Sequence, residues 1–248
     1  MTILVPALAF GCIVGSFLNV VIHRLHAGGS VVGGRSRCPG CRHVLSAVDL
    51  VPVLSYLLLH GRCRHCRVRI SPVYPAVEIV TGILFALAAV ASSGWPQLVL
   101  NWFVLSSLVV VFVYDWRHML IPRAVVLPAA GIAAVTGLLL GVAWWSLALG
   151  VAVTAGFFWL QRLLSRGRWI GGGDVNLGLL MGASLGWPNS LAALFLAYVS
   201  GAAVAVLLLS FGRRGWRGEL PFGTFLSAAT AVSLLYGDAI VSWYLNLL

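Results

Sequence analysis

The chain has 248 residues, of which 60% are hydrophobic and 9% charged, with a mean hydropathy of +1.00. A soluble domain carries about a quarter charged residues and disorder requires low hydrophobicity, so both classes are excluded, and an all-α, polytopic membrane protein of about eight transmembrane helices is expected. The net charge of +10 comes from sixteen basic residues, all arginine, against six acids; so basic a chain invites a nucleic-acid reading, which the placement of the arginines argues against.

Spans of about 20 apolar residues are expected near 3–22, 73–91, 98–115, 121–140, 143–161, 175–186, 190–211 and 222–247. The first lacks a basic n-region and its arginines follow the apolar stretch, so it reads as a retained span and not as a cleaved signal. The arginines fall in every second connection, eight of them between Arg24 and Arg69, then Arg117 and Arg123, then three from Arg162 to Arg168, then three from Arg213 to Arg217. The alternate connections 92–97, 141–145 and 186–190 carry no charge. By the positive-inside bias the arginine-rich side is cytoplasmic and both termini lie outside. The expected organisation is a first helix (1–22), a cytoplasmic cysteine-rich domain (23–72) and a larger transmembrane part (73–248). No internal repeat or low-complexity tract is expected beyond Gly171-Gly172-Gly173.

Residues 23–72 are too few for a substantial core without a staple. They contain Cys38-Pro-Gly-Cys41 and Cys63-Arg-His-Cys66, with 21 residues between the pairs. Two C-x2-C knuckles at this separation point to one tetrahedral zinc ion, structural and closed, because each knuckle turns two thiolates inward. Arg37, Arg42, Arg62 and Arg64 would offset the thiolate charge. Two disulfides are the competing reading, disfavoured in a reducing compartment. Cys12, in the first span, reads as a packing residue.

With six acids in the chain, those at membrane helices are functional candidates. Asp49 reads as a turn cap and Asp238 lies in the last span. Asp115 ends the third span just before Ile121-Pro122, and taken alone pairs with Arg117 or Arg123. Asp174 closes Gly171-Gly172-Gly173-Asp174 and taken alone is a helix N-cap; the glycines allow close backbone approach to a partner. Together the two aspartates, on different helices at one membrane face, suit aspartic-protease chemistry, in which one carboxyl keeps a proton while the other takes one from water.

Several ordered motifs carry a resemblance to the type IV prepilin peptidases: the segment 15–24, Ser36-Arg37-Cys38-Pro39-Gly40-Cys41, residues 52–56, 61–66, Ile70-Ser71, 74–78, Asp115 with Ile121-Pro122, the Gly-x-Gly-Asp of 171–174, and Pro221-Phe222-Gly223-Thr224-Phe225. The resemblance implies that Asp115 and Asp174 are the catalytic pair of an inner-membrane aspartic endopeptidase acting at the cytoplasmic face. Its implied partner is the N-terminal segment of a prepilin or pseudopilin, whose short basic leader is removed after glycine. It further implies N-methylation of the new terminus from S-adenosylmethionine, although the chain has no glycine-rich βαβ fingerprint. Glu78 and Glu219 are candidates for substrate or cofactor contacts. Two positions depart from the family pattern: Asn176 stands where lysine is common and Arg123 where aspartate is common. The expected surroundings are membrane lipid and no nucleic acid. A proton-coupled transporter would want its acids near mid-membrane, and a zinc-loop scaffold has no use for two aspartates at helix ends.

Overall fold

The computed structural model describes residues 3–28, 33–38, 40–211 and 220–247. Glu219 and the arginines from Arg213 to Arg217 lie outside the described residues. Among the described residues the regular structure is helical: α1 (Leu4–Ala27), a short α2 (Leu54–Leu58), α3 (Val73–Ala91), α4 (Trp95–His118), α5 (Arg123–Leu139), α6 (Trp144–Leu164), α7 (Gly172–Leu185), α8 (Asn189–Ser210) and α9 (Phe222–Leu245). The eight long helices fall on the eight expected spans. Six of them are long and apolar enough to cross a membrane, whereas α5 and α7, at 17 and 14 residues, are shorter. At 1.5 Å per residue α7 reaches about 21 Å, short of the ~30 Å hydrocarbon layer. Large apolar side chains such as Leu139, Trp144 and Phe195 point outward. A membrane supplies the apolar surroundings that such a surface needs, and helices satisfy their own backbone there.

The chain separates into two compact units, Met1–Ser92 and Ser93–Leu248. In the first, α1 packs on α3 through small residues that let the backbones approach. A Cβ at Gly11 would stand 2.8 Å from the Cα of Gly82, and one at Gly15 would stand 2.7 Å from the Cα of Glu78. The Cys12 sulfur fills the space left by Gly82, which is the packing role expected of it. α1 runs five residues past the apolar stretch expected to end at 22 and closes at Gly28, whose positive φ of 67° and amide bond to the Arg24 carbonyl make a helix stop.

In the second unit α4 is the most buried of the long helices, with Val104, Leu105 and Val111 fully enclosed. α7 is enclosed as well, through Leu177, Leu180 and Met181. Gly178 faces the Cα of Ala155 on α6, and Gly182 meets the backbone of Val151 so closely that no side chain would fit. Thr154 on α6 donates to the Gly178 carbonyl at 2.7 Å, tying the two helices where their backbones touch. The consequence is that α7, though short, is rigidly placed, and its first residues are held where α4, α5 and α9 begin or end.

Candidate active site and metal centre

α4 ends one turn past Asp115: Met119 takes a left-handed conformation (φ 53°) and its amide caps the Asp115 carbonyl at 2.8 Å. The chain then runs extended through Ile121 and Pro122 into α5. α9 begins at Phe222 after Pro221, so the first amides of that helix have no intrahelical partner. The Asp115 carboxylate supplies one. Thr224 N–H donates to its Oδ2 at 2.9 Å, and the Gly223 amide also faces it. A hydrogen bond from an amide to a charged acceptor contributes roughly 1.5–3 kcal/mol, and the helix N-terminus favours the negative charge. Asp115 is only 4% exposed. The alternative pairing with Arg117 or Arg123 is not formed among the described residues.

Asp174 sits in the first turn of α7, third helical residue rather than the N-cap expected; Gly171 holds the cap position. From there its carboxylate lies beside Gly171, Oδ2 standing 3.7 Å from where a Cβ would be. Asp174 lies within electrostatic reach of Asp115, so the topology brings the two expected aspartates into one neighbourhood. The hinge is Ile121. A Cβ at Gly173 on α7 would stand 2.9 Å from it, and one at Gly223 on α9 would stand 3.0 Å from it and 2.8 Å from Asp115 Oδ2. Glycine is therefore required at both places by close approach. On the other side Tyr198 of α8 packs edge-on against Phe222 at 5.0 Å, donates its hydroxyl to Gln161 at 3.3 Å and feels the charge of Asp174. Gly223, Thr224 and Tyr198 were not among the expected site residues. Only the Pro221–Phe225 motif pointed toward the first two, since a backbone amide has no side-chain signature.

In the first unit the four cysteine sulfurs of Cys38, Cys41, Cys63 and Cys66 lie within 4.8 Å of one another and could hold a metal ion. Cys38 and Cys66 stand 3.7 Å apart, too far for a disulfide of about 2.05 Å but matching the ~3.8 Å edge of a tetrahedron with 2.3 Å zinc–sulfur bonds. All four are free thiols. Amides of the first knuckle, led by that of Cys41, bring the Cys38 thiol down to about 7, while, against the Val68 amide, burial and the neighbouring cysteines hold the Cys66 thiol up at about 11, so the thiolates of this cluster form one before another. The two knuckles are copies offset by 25 residues. Cys38 N–H bonds the His43 carbonyl as Cys63 N–H bonds that of Val68, and Arg42 and Arg67 share a left-handed φ near 57°. The expectation of no internal repeat is corrected here: Arg-Cys-x-x-Cys-Arg occurs at 37–42 and 62–67. Asp49 caps its turn as expected, accepting from the Ser46 amide and hydroxyl and pairing with Arg64 at 2.8 Å; these bonds, the Ser46 hydroxyl foremost, lower its pKa to about 2. Glu78 is buried on α3 and accepts from the amide of Val53 at 2.8 Å. It thereby holds the entry to α2, where Val53 has the unusual φ of 61° for a β-branched residue.

Residues 9–92 match the Bacterial Peptidase A24 N-terminal domain and residues 102–206 match the Type IV leader peptidase family. A protein of Bacillus subtilis named prepilin leader peptidase/N-methyltransferase is 35% identical, with 96% of each chain covered. The chain belongs to the type IV leader peptidase family. Other family members with the same name are 33% identical in Aeromonas hydrophila, over 96% of this chain and 92% of the relative, and 36% identical in Burkholderia pseudomallei, over 93% and 84%. No solved structure matches the chain. The two family matches fall within the two compact units of the fold, 9–92 in the first and 102–206 in the second.

Proposed function

We propose that this membrane protein is a prepilin leader peptidase that removes the leader from a prepilin or pseudopilin after glycine and belongs to the bifunctional peptidase/N-methyltransferase type. The observation that carries the reading is the buried Asp115 carboxylate, seated on the Thr224 amide within electrostatic reach of Asp174. Two carboxyls so placed resist double ionisation, and on this reading one carries a proton while the other is ionised. The ionised member takes a proton from water as that water attacks the scissile carbonyl. The protonated member gives its proton to the carbonyl oxygen, and the proton taken from water then passes from the other carboxyl to the leaving amine as the C–N bond breaks; the hydroxyl proton of the collapsing diol returns to the first carboxyl. Amides from Gly223 and Thr224 hold the Asp115 carboxyl in place without needing a side chain that could titrate. Gly171 leaves room beside Asp174, whereas the space beside Gly172 and Gly173 is taken by Arg162 and Ile121.

By the arginine distribution the site opens to the cytoplasm at the inner membrane, with both termini outside. The cysteine cluster is assigned to structural zinc: Cys38, Cys41, Cys63 and Cys66 fill all four positions, so the ion would cross-link the loop and leave no place for substrate. S-adenosylmethionine is the proposed methyl donor through the name its relatives carry. Glu78 holds the Val53 amide through one oxygen and is assigned a structural part; no residue is assigned to the donor.

The test is incubation of purified wild type and Asp174→Ala with a leader-bearing prepilin in detergent, read by mass spectrometry with and without S-adenosylmethionine. Leader loss with wild type alone, and one added methyl mass when the donor is present, is the expected result. An Asp174→Ala protein that still processes would overturn the dyad.

A further inference from the structure

Residues 23–72 join the two spans α1 and α3 and carry eight arginines against one acid, Asp49, which is taken by Arg64. The segment stays strongly positive even with the negative charge that four thiolates leave on a zinc site. Arg62 and Arg69 face one another across an isolated antiparallel bridge just after α2, and both are exposed. Among the described residues no carboxylate forms an ion pair with either. Arg69 stands four residues before the first residue of α3, so this charge lies close to where that helix enters the membrane. α2 is held at the same level, because Glu78 in the second turn of α3 accepts from the Val53 amide at 2.8 Å. Tyr56 anchors the inner side of α2: its hydroxyl donates to the Ile70 carbonyl at 3.4 Å, and a Cβ at Gly61 would stand 2.8 Å from that hydroxyl. With Tyr56 turned inward, helical spacing turns Leu54, Leu57 and Leu58 the other way, and they are 59%, 62% and 76% exposed. Val48 and Val51 just upstream are exposed as well. An apolar patch rimmed by charge marks a surface that something covers.

We propose that the cysteine loop docks on anionic phospholipid, with Arg62 and Arg69 on headgroup phosphates and Leu54, Leu57 and Leu58 sunk in the interfacial layer beside them. Basic residues next to a span are drawn to anionic lipid, and guanidinium forks bind phosphate in a two-bond geometry. Apolar side chains alongside add buried area, the combination used by segments that lie in a membrane surface. Lipid is the occupant because α1 and α3 tether both ends of the loop to the bilayer and Glu78 fixes α2 against a span. The basic leader of the proposed substrate is repelled by the same arginines. Docking needs only that α1 and α3 cross the membrane, and it does not depend on the peptidase reading.

The experiment is hydrogen exchange read by mass spectrometry on the full-length protein in three surroundings: nanodiscs of phosphatidylcholine, nanodiscs containing phosphatidylglycerol, and an uncharged detergent. With wild type at low salt, exchange over residues 54–62 is expected to be about tenfold slower in the phosphatidylglycerol discs than in the phosphatidylcholine discs, and the difference is expected to close as salt is raised. The double variant Arg62→Gln, Arg69→Gln is expected to lose the dependence on lipid charge, and Arg62→Lys, Arg69→Lys to keep part of it. The double variant Leu57→Gln, Leu58→Gln, which leaves both arginines in place, is expected to exchange faster in both kinds of disc. Unchanged exchange in α3 and an unchanged circular dichroism spectrum show that a variant is folded; where one is not, the comparison of lipids with wild type decides alone. Equal exchange of wild type in the two kinds of disc would overturn the proposal. Protection that persists in the uncharged detergent would overturn it too, and would assign the covered face to protein.

Discussion

The two sites of this molecule are built in opposite ways. The cysteine site lies within 29 consecutive residues and is made of one short motif used twice, each copy closed by its own backbone hydrogen bonds. The aspartate site gathers the end of one helix and the starts of two others, and its decisive bond joins residues 109 apart in sequence. The first could hold a metal between its two halves; the second depends on α4, α7 and α9 keeping their places. A local site tolerates change elsewhere in the chain, whereas an assembled one is sensitive to any helix that shifts.

The largest effect expected from this contrast is at the dyad. Asp115→Asn and Asp174→Asn should each cost at least about 10³-fold in leader cleavage, in keeping with loss of an acid–base group, with the protein still inserted. Cleavage kinetics and membrane fractionation check it together.

Next in size are changes that replace no reacting group. Gly223→Ala places a methyl 2.8 Å from Asp115 Oδ2, and Gly173→Ala places one 2.9 Å from Ile121. Misplacement of about 1 Å costs on the order of 10²-fold, so each should lower kcat by ten- to a hundredfold. Wild-type rates in both would mean that the site is more yielding than an assembly of helix ends.

Metal removal acts on the other site. Chelation, or Cys38→Ser, should lower the unfolding temperature measured by circular dichroism, because metal binding is folding free energy for so small a loop. Cleavage should fall by several-fold, through lost stability. Metal analysis of the purified protein gives the stoichiometry, one zinc per chain. Full activity in a folded, metal-free protein would sever the loop from the peptidase.

The smallest effect concerns Asp49. Its carboxyl is held near pH 2 by Ser46 and Arg64, below the ordinary value of about 3.9. The stabilisation is present above that ordinary value and disappears as pH falls through about 2. An exposed pair of this kind is worth under about 1 kcal/mol, so Asp49→Asn should barely move the melting temperature. A carboxyl titration with its midpoint near 4 would contradict the hydrogen bonding seen.

What could be read in the sequence follows the same division. Apolar runs mark the long helices, but hydropathy fades before helical hydrogen bonding does, which is why α1 continues through Arg24 and His26. The cysteines announce their site by spacing, and their duplication was equally visible in Arg-Cys-x-x-Cys-Arg, hidden only because the copies are six residues long. Asp115 and Asp174 stood out through scarcity. Their partners did not: Thr224 and Gly223 act through backbone amides and Ile121 through shape.

The brevity of α7 bears on how hydrolysis is performed at a lipid boundary at all. Its 14 residues reach about 21 Å, short of the ~30 Å layer, and its sides are sealed by protein, with Leu177, Leu180 and Met181 fully enclosed. On the proposed reading, water meets Asp174 at the end of such a helix and not along its length, so a short, enclosed helix keeps the wet part of the fold apart from the lipid-facing part.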